Sequence, residues 1–210
     1  MSVQSNTTIM SVLYGVLFGN IALQGQMSSL VLIPTVIINF LGIKFIASRM
    51  GQKKALLFGT YGAIGTSVLM FCLMVWGDPS SFSFTNISFF TIAFCLLWIF
   101  QKGFSGISGN IVIPMTADCA DYETYRTGKY VPGLMGTLFS FVDKVISSLA
   151  STIVALMFAL VGYAQEVPTD KSPWSEGLFW VVVIAFTIVP IIGWLCNVVA
   201  LKFYPLTKEK

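Results

Sequence analysis

Asp143 and Lys144 stand side by side in an apolar run, Gly133 to Tyr163, that is long enough to cross a bilayer. A charge at that depth costs about 2.5–3.5 kcal/mol even on the mildest scale, so such residues face polar cavities and mark solute or ion pathways. Lys144 supplies a compact cation. Asp143 can neutralise it, coordinate a cation or accept a hydrogen bond from a hydroxylated solute, and the residue types alone leave all three open. Ser140 and Ser147, with Gly136, Thr137, Ser148 and Ser151, recur at spacings of three and four and so join the pair in one polar stripe on a helix. Leu138, Phe141, Val145, Leu149 and Ile153 clothe the other faces. Small residues also allow close helix packing. That accounts for the glycines and serines but not for Lys144.

A second polar group, Gln101 and Lys102, interrupts the preceding apolar run and is followed by Ser105, Gly106 and Gly109 on one helical face. With helix over 89–111, Lys102 falls near mid-span and is a second candidate for the cavity; its alternative is to snorkel toward an interface. Trp98, one turn earlier, offers a ring face for stacking or an apolar body for packing. Pro34, Pro114 and Pro190 are candidate kinks.

The densest charge lies in the link from Thr116 to Gly133, which gathers Asp118, Asp121, Tyr122, Glu123, Arg126 and Lys129. Asp118 and Asp121 share a face if the helix continues through them. Two such carboxylates can hold a divalent cation with a phosphate, but Tyr122 stands where the phosphatidyltransferase pattern D-x-x-D-G needs Gly, and no second acidic pair follows. A solvated loop that only sets topology is the plain alternative. The favoured reading is a salt-bridge latch at helix ends, built with Arg49, Lys53 and Lys54 of an earlier basic loop, in which opposite charges hold one conformation and release another.

Long apolar helices must position these groups. With 56% hydrophobic residues, only 10% charged and a mean hydropathy of +0.83, the chain is no soluble domain, which carries about 25% charged residues. Runs of about 20 apolar residues cross the bilayer core as helix, and they are expected at 27–48, 55–76, 87–115, 134–163 and 177–203. Residues 1–26 read as a truncated helix and external turn, closed by Gln24, Gly25 and Gln26; residues 27–210 form a five-helix bundle. No run alternates as a membrane strand does. The fold class is an all-α integral membrane protein with five full transmembrane helices plus a partial N-terminal one.

Nine of the 12 basic residues fall on one side if the 49–54 loop, the 118–129 link and the C-terminus face the cytoplasm. The net charge of +3 is this asymmetry, and no Lys/Arg cluster is interleaved with stacking aromatics as nucleic-acid binding requires. The absence of His excludes imidazole metal sites, Ser-His triads and imidazole proton relays. Four scattered cysteines suggest neither a zinc site nor a disulfide framework. No cleaved signal peptide is expected, since no charged segment precedes a short apolar one.

Asp118, Asp121-Tyr122-Glu123, Arg126-Thr127-Gly128, a helix opened by Gly133, Lys144 within it and Gly162-Tyr163 closing it resemble the glycoside-pentoside-hexuronide cation symporters of the major facilitator superfamily, relatives of the melibiose carrier. Arg49-Met50-Gly51-Gln52-Lys53-Lys54 resembles the basic loop between the second and third helices of each half of such carriers. The resemblance covers roughly 13–204 and is to the C-terminal six-helix half alone. It implies co-transport of a sugar or glycoside with Na⁺ or H⁺ by alternating access, a cell-membrane location with a cytoplasmic C-terminus, no cofactor and no enzymatic step. It also implies an N-terminal half, absent here, that carries the cation-coordinating carboxylates. On that reading Lys144, Asp143, Ser140, Ser147, Lys102 and Gln101 line the substrate and coupling cavity. A non-transporting remnant or accessory subunit derived from such a carrier is the alternative; a self-associated channel is weaker, because no ring of like groups is evident.

Overall fold

The structure, a computed structural model, describes residues 6–47, 49, 51–128, 130, 132–163, 168–169 and 172–204. Lys129 of the latch reading, and Lys171, Lys208 and Lys210, which were counted among the basic residues, lie outside the described residues. Among the described residues six helices of ten residues or more follow one another: α1 Thr7–Leu17, α2 Ala22–Ile46, α3 Gln52–Trp76, α4 Phe89–Thr127, α5 Pro132–Leu160 and α6 Glu176–Lys202. The last five are long and apolar enough to cross a membrane, and among the described residues there is no strand. This is the expected fold class.

Two boundaries differ from expectation. The first break falls at 18–21, where Gly19 adopts a positive φ of 73° and Asn20 Oδ1 accepts from the Ala22 N–H at 2.9 Å to start α2. Gln24, Gly25 and Gln26 occupy the first turns of α2; polar residues at a helix start do not end it, whereas a backbone that must enter the left-handed region does. The second difference concerns the 116–133 link. It is no loop over most of its length, because α4 runs unbroken through Pro114 to Thr127, where Gly128 closes it at φ 70° and its N–H reaches Thr124 O at 2.8 Å. Thirty-nine residues make about 58 Å of helix, roughly twice the hydrocarbon thickness, so the charged turns beyond Met115 are more than one bilayer core requires.

The α3–α4 pair is the spine. Gly59 lies against Ser108 and Gly62 against the Phe104 ring, so that a β-carbon at either position would sit 2.6 Å from its neighbour. α2 docks on the same helix, Ile38 over Gly103 and the Asn39 amide over Gly106. Close approach through small residues replaces the hydrophobic drive that lipid cannot supply. An aromatic cluster of Phe18, Phe82, Phe90, Phe94, Trp98 and Phe186 joins α1, α4 and α6. At the basic end Leu56, Ile107, Ile111, Met115 and Leu201 form a smaller core. α5 is the least attached span: only Ala150, Val154 and Phe158, one stripe of its C-terminal half, are buried.

Candidate functional site

Gln101 and Lys102 adjoin in sequence but point apart, because successive residues turn about 100° on a helix. Gln101 is 1% exposed. Its Nε2 donates to Ser67 Oγ at 2.7 Å and its Oε1 accepts from Thr66 Oγ1, both on α3. It is therefore an interhelical clasp, not a cavity wall. Lys102 turns the other way, toward α1 and α2, with Nζ 4.5 Å from the centroid of the Trp98 ring. That ring also stacks on Phe186 at 4.8 Å, so its packing role is the dominant one.

Lys102 and Trp98 form one side of a cavity of about 440 Å³, opposite Tyr14 of α1 and Gln24, Ser28 and Thr35 of α2. The volume lies in the range typical of small-molecule sites, about 300–1,000 Å³. Four of these side chains were not assigned to a site in the sequence: Tyr14 and Gln24 because residues 1–26 were set aside as a truncated element, Ser28 and Thr35 because they are isolated in an apolar span. The signal was there: Gln24, Ser28, Val31 and Thr35 step at four, three and four residues along one face of α2.

Asp143 and Lys144 are exposed, as are Ser140 and Ser148; Ser147 is half-buried. Neither charged residue lines the Lys102 cavity. Several hydroxyls of α5 bond back onto their own helix, Thr137 to Gly133 O at 2.8 Å and Ser148 to Lys144 O at 2.9 Å. The apolar faces of α5, including Leu138, Phe141, Val145 and Leu149, are exposed as well, so among the described residues most of the stripe and its surroundings, Ser147 apart, are open.

Of the latch residues, Asp118, Asp121, Tyr122 and Arg126 are exposed on the C-terminal turns of α4, and Glu123 is half-buried. Lys53 lies in the first turn of α3, where a cation opposes the helix dipole. It donates to Tyr204 O at 2.7 Å, tying the start of α3 to the end of α6. The Tyr204 phenol is pushed up to about 12 by burial, with the Cys119 thiol and the Asp118 carboxylate adding to the effect. The basic end is therefore stitched through Tyr204, which the sequence reading did not single out. Arg49 lies 6.0 Å from the centroid of the Phe45 ring, and Lys54 is exposed. Among the described residues, no group of three or more Asp, Glu, Cys or His is placed to hold a metal.

A bundle of membrane-length helices, packed through small residues around a partly polar cavity, defines a multi-pass membrane protein. The sequence profile of the family described as MFS/sugar transport protein matches residues 9–208, and the chain belongs to that family. It is similar to the glucuronide carrier protein homolog of Escherichia coli (strain K12), 28% identical over 78% of this chain and 32% of the relative. It is also similar to the isoprimeverose transporter of Lactiplantibacillus pentosus, 25% identical over 77% of this chain and 30% of the relative. The chain thus spans about a third of the length of the curated relatives it matches. No solved structure matches it significantly.

Proposed function

We propose that this chain forms the C-terminal wall of a secondary carrier in the cell membrane that moves a sugar or glycoside together with Na⁺ or H⁺ by alternating access. The observation that carries the reading is the cavity between α1, α2 and α4, where a cation, a phenol, an amide and two hydroxyls converge inside a chain of the sugar-transport family. The two relatives are named for a glucuronide and for isoprimeverose, which supports a glycoside-sized solute. Lys102 meets that solute. Lys144, Asp143, Ser140 and Ser147 serve a second wall supplied by an N-terminal half, since carriers of this class place their sites between two repeats near the midplane. The ends bearing Lys53, Arg126 and Lys202 face the cytoplasm, in keeping with the positive-inside rule.

Co-expression tests it. The chain alone gives no gradient-driven sugar accumulation, because alternating access needs differential contacts on two walls; the chain with an N-terminal half of a related carrier restores uptake. Accumulation by the monomeric chain alone, or none in the pair, would contradict the reading, and the second result would favour an accessory subunit.

A further inference from the structure

A groove of about 780 Å³ runs between the end of α3 and the start of α4. Leu69, Leu73 and Trp76 form one wall, Phe89 and Leu96 the other, and the small Ala93 lies between them. It is open along its length: Trp76 and Phe89 are 84% and 83% exposed. Asp78, just beyond the last turn of α3, is the sole charged residue among the described residues that line it. On a pair of membrane-length helices, such an apolar opening meets acyl chains and not water. From Phe89 to Phe100, both in its lining, α4 rises about 16 Å, close to half of the roughly 30 Å hydrocarbon core. The groove thus has the depth of one leaflet. Trp76 and Asp78 stand at its headgroup end, the level at which an indole, apolar in body and polar at one edge, is favoured.

We propose that this groove holds an acyl chain of a phospholipid whose headgroup ends in a primary ammonium, a phosphatidylethanolamine, and that Asp78 accepts a hydrogen bond from that ammonium. The inference goes beyond the carrier reading and does not depend on it. Charge complementarity selects the headgroup. Gly77, the cap of α3, packs against the Phe90 ring in the first turn of α4. A helix C-terminus with its partial negative charge and a helix N-terminus with its partial positive charge therefore meet at one mouth. Asp78 adds a full negative charge to the first pole. Its Oδ1 accepts from the Ser80 N–H and hydroxyl at 3.1 and 2.6 Å, neutral donors that orient the carboxylate without cancelling its charge. A zwitterion fits both poles, ammonium toward Asp78 and phosphate toward the start of α4. Ethanolamine has N–H groups for a charge-assisted hydrogen bond; the methylated nitrogen of choline has none, and a glycerol headgroup brings no cation. Lys53 and Lys54 stand at the other end of α3 and take no part.

The test uses the 210-residue chain in detergent, titrated with dioleoyl phosphatidylethanolamine, phosphatidylcholine or phosphatidylglycerol, with bound lipid counted by native mass spectrometry. The first equivalent of the ethanolamine lipid should bind about threefold to fivefold tighter than that of the choline lipid, the span of a charge pair at an exposed site, and the glycerol lipid should bind weakest. Asp78→Asn keeps an oxygen for the Ser80 donors; it should erase the preference and leave choline-lipid binding unchanged. Ala93→Phe fills the groove and should lose the first equivalent of all three lipids, and the Asp78→Asn result decides alone if that bulkier variant does not fold. Equal binding of the ethanolamine and choline lipids by the parent chain, a preference that survives Asp78→Asn, or a first equivalent retained by folded Ala93→Phe overturns the proposal. Tightest binding of the glycerol lipid overturns it too, by moving the lipid to the basic end. So does a dimeric parent chain made monomeric by Ala93→Phe, which gives the groove to a second copy.

Discussion

α4 and α5 each carry a lysine in the middle of an apolar span, yet the two sit in opposite surroundings. Around Lys102 the neighbouring helices have closed: Gln101 is clasped to α3, Gly103 and Gly106 receive α2, and Trp98 packs on Phe186. Around Lys144, among the described residues, polar and apolar faces alike lie largely open from Leu138 to Leu149, with Ser147 half-buried. The same residue type in a long apolar helix is thus packed among neighbouring helices in one case and open in the other. Composition places a charge in the membrane; only the packing of neighbours decides what it faces.

The contrast can be broken most forcefully at Lys144. In a carrier assembled with an N-terminal half, Lys144→Ala should lower cation-driven accumulation at least about 100-fold, because loss of one partner from an enclosed charge pair costs about 3–5 kcal/mol. Membrane insertion should survive, as removing a charge makes the helix easier to place in lipid. Uptake at the parent level, at equal expression, would return α5 to the role of a lipid-facing helix.

Gln101→Leu probes the closed side. It leaves the Ser67 and Thr66 hydroxyls without their amide, so stability in detergent should fall by about 0.6–1.7 kcal/mol, while glycoside affinity at the Lys102 cavity stays unchanged. A binding defect without loss of stability would move Gln101 into the cavity after all.

The smallest effect is expected at the basic end. Lys53→Met removes the 2.7 Å bond to Tyr204 O and should cost about 0.5–1.5 kcal/mol, seen as earlier protease cleavage after α6. Lys54→Met, whose side chain is exposed, should leave cleavage unchanged. Equal effects from both would reduce the stitch to general charge.

Much of the fold was legible in the sequence because lipid imposes one rule on every span: apolar length and internal hydrogen bonding. Five spans followed from that rule. The end of α4 did not, since Asp118 to Arg126 is polar enough to resemble a loop, and Gly128, the residue that stops the helix, lies beyond the apolar run. The site was legible only by face. Periodicity separated the stripe of α5 from its apolar sides, but it could not tell Gln101 from Lys102, because what each faces, Ser67 on α3 in one case and the cavity lined by α1 and α2 in the other, is distant in the chain. Tyr14 escaped notice, and Gln24 was read only as a break, because a short element looked expendable.

Substrate protection of engineered cysteines measures the two walls together. In the assembled carrier lacking its native cysteines, Ser28→Cys on α2 and Ser140→Cys on α5 are labelled in turn with a thiol reagent, with and without saturating glycoside. Protection of both positions, with a control at exposed Thr127→Cys unaffected, is the predicted result; undiminished labelling at both would contradict the claim that the Lys102 cavity and the open stripe of α5 enclose one solute.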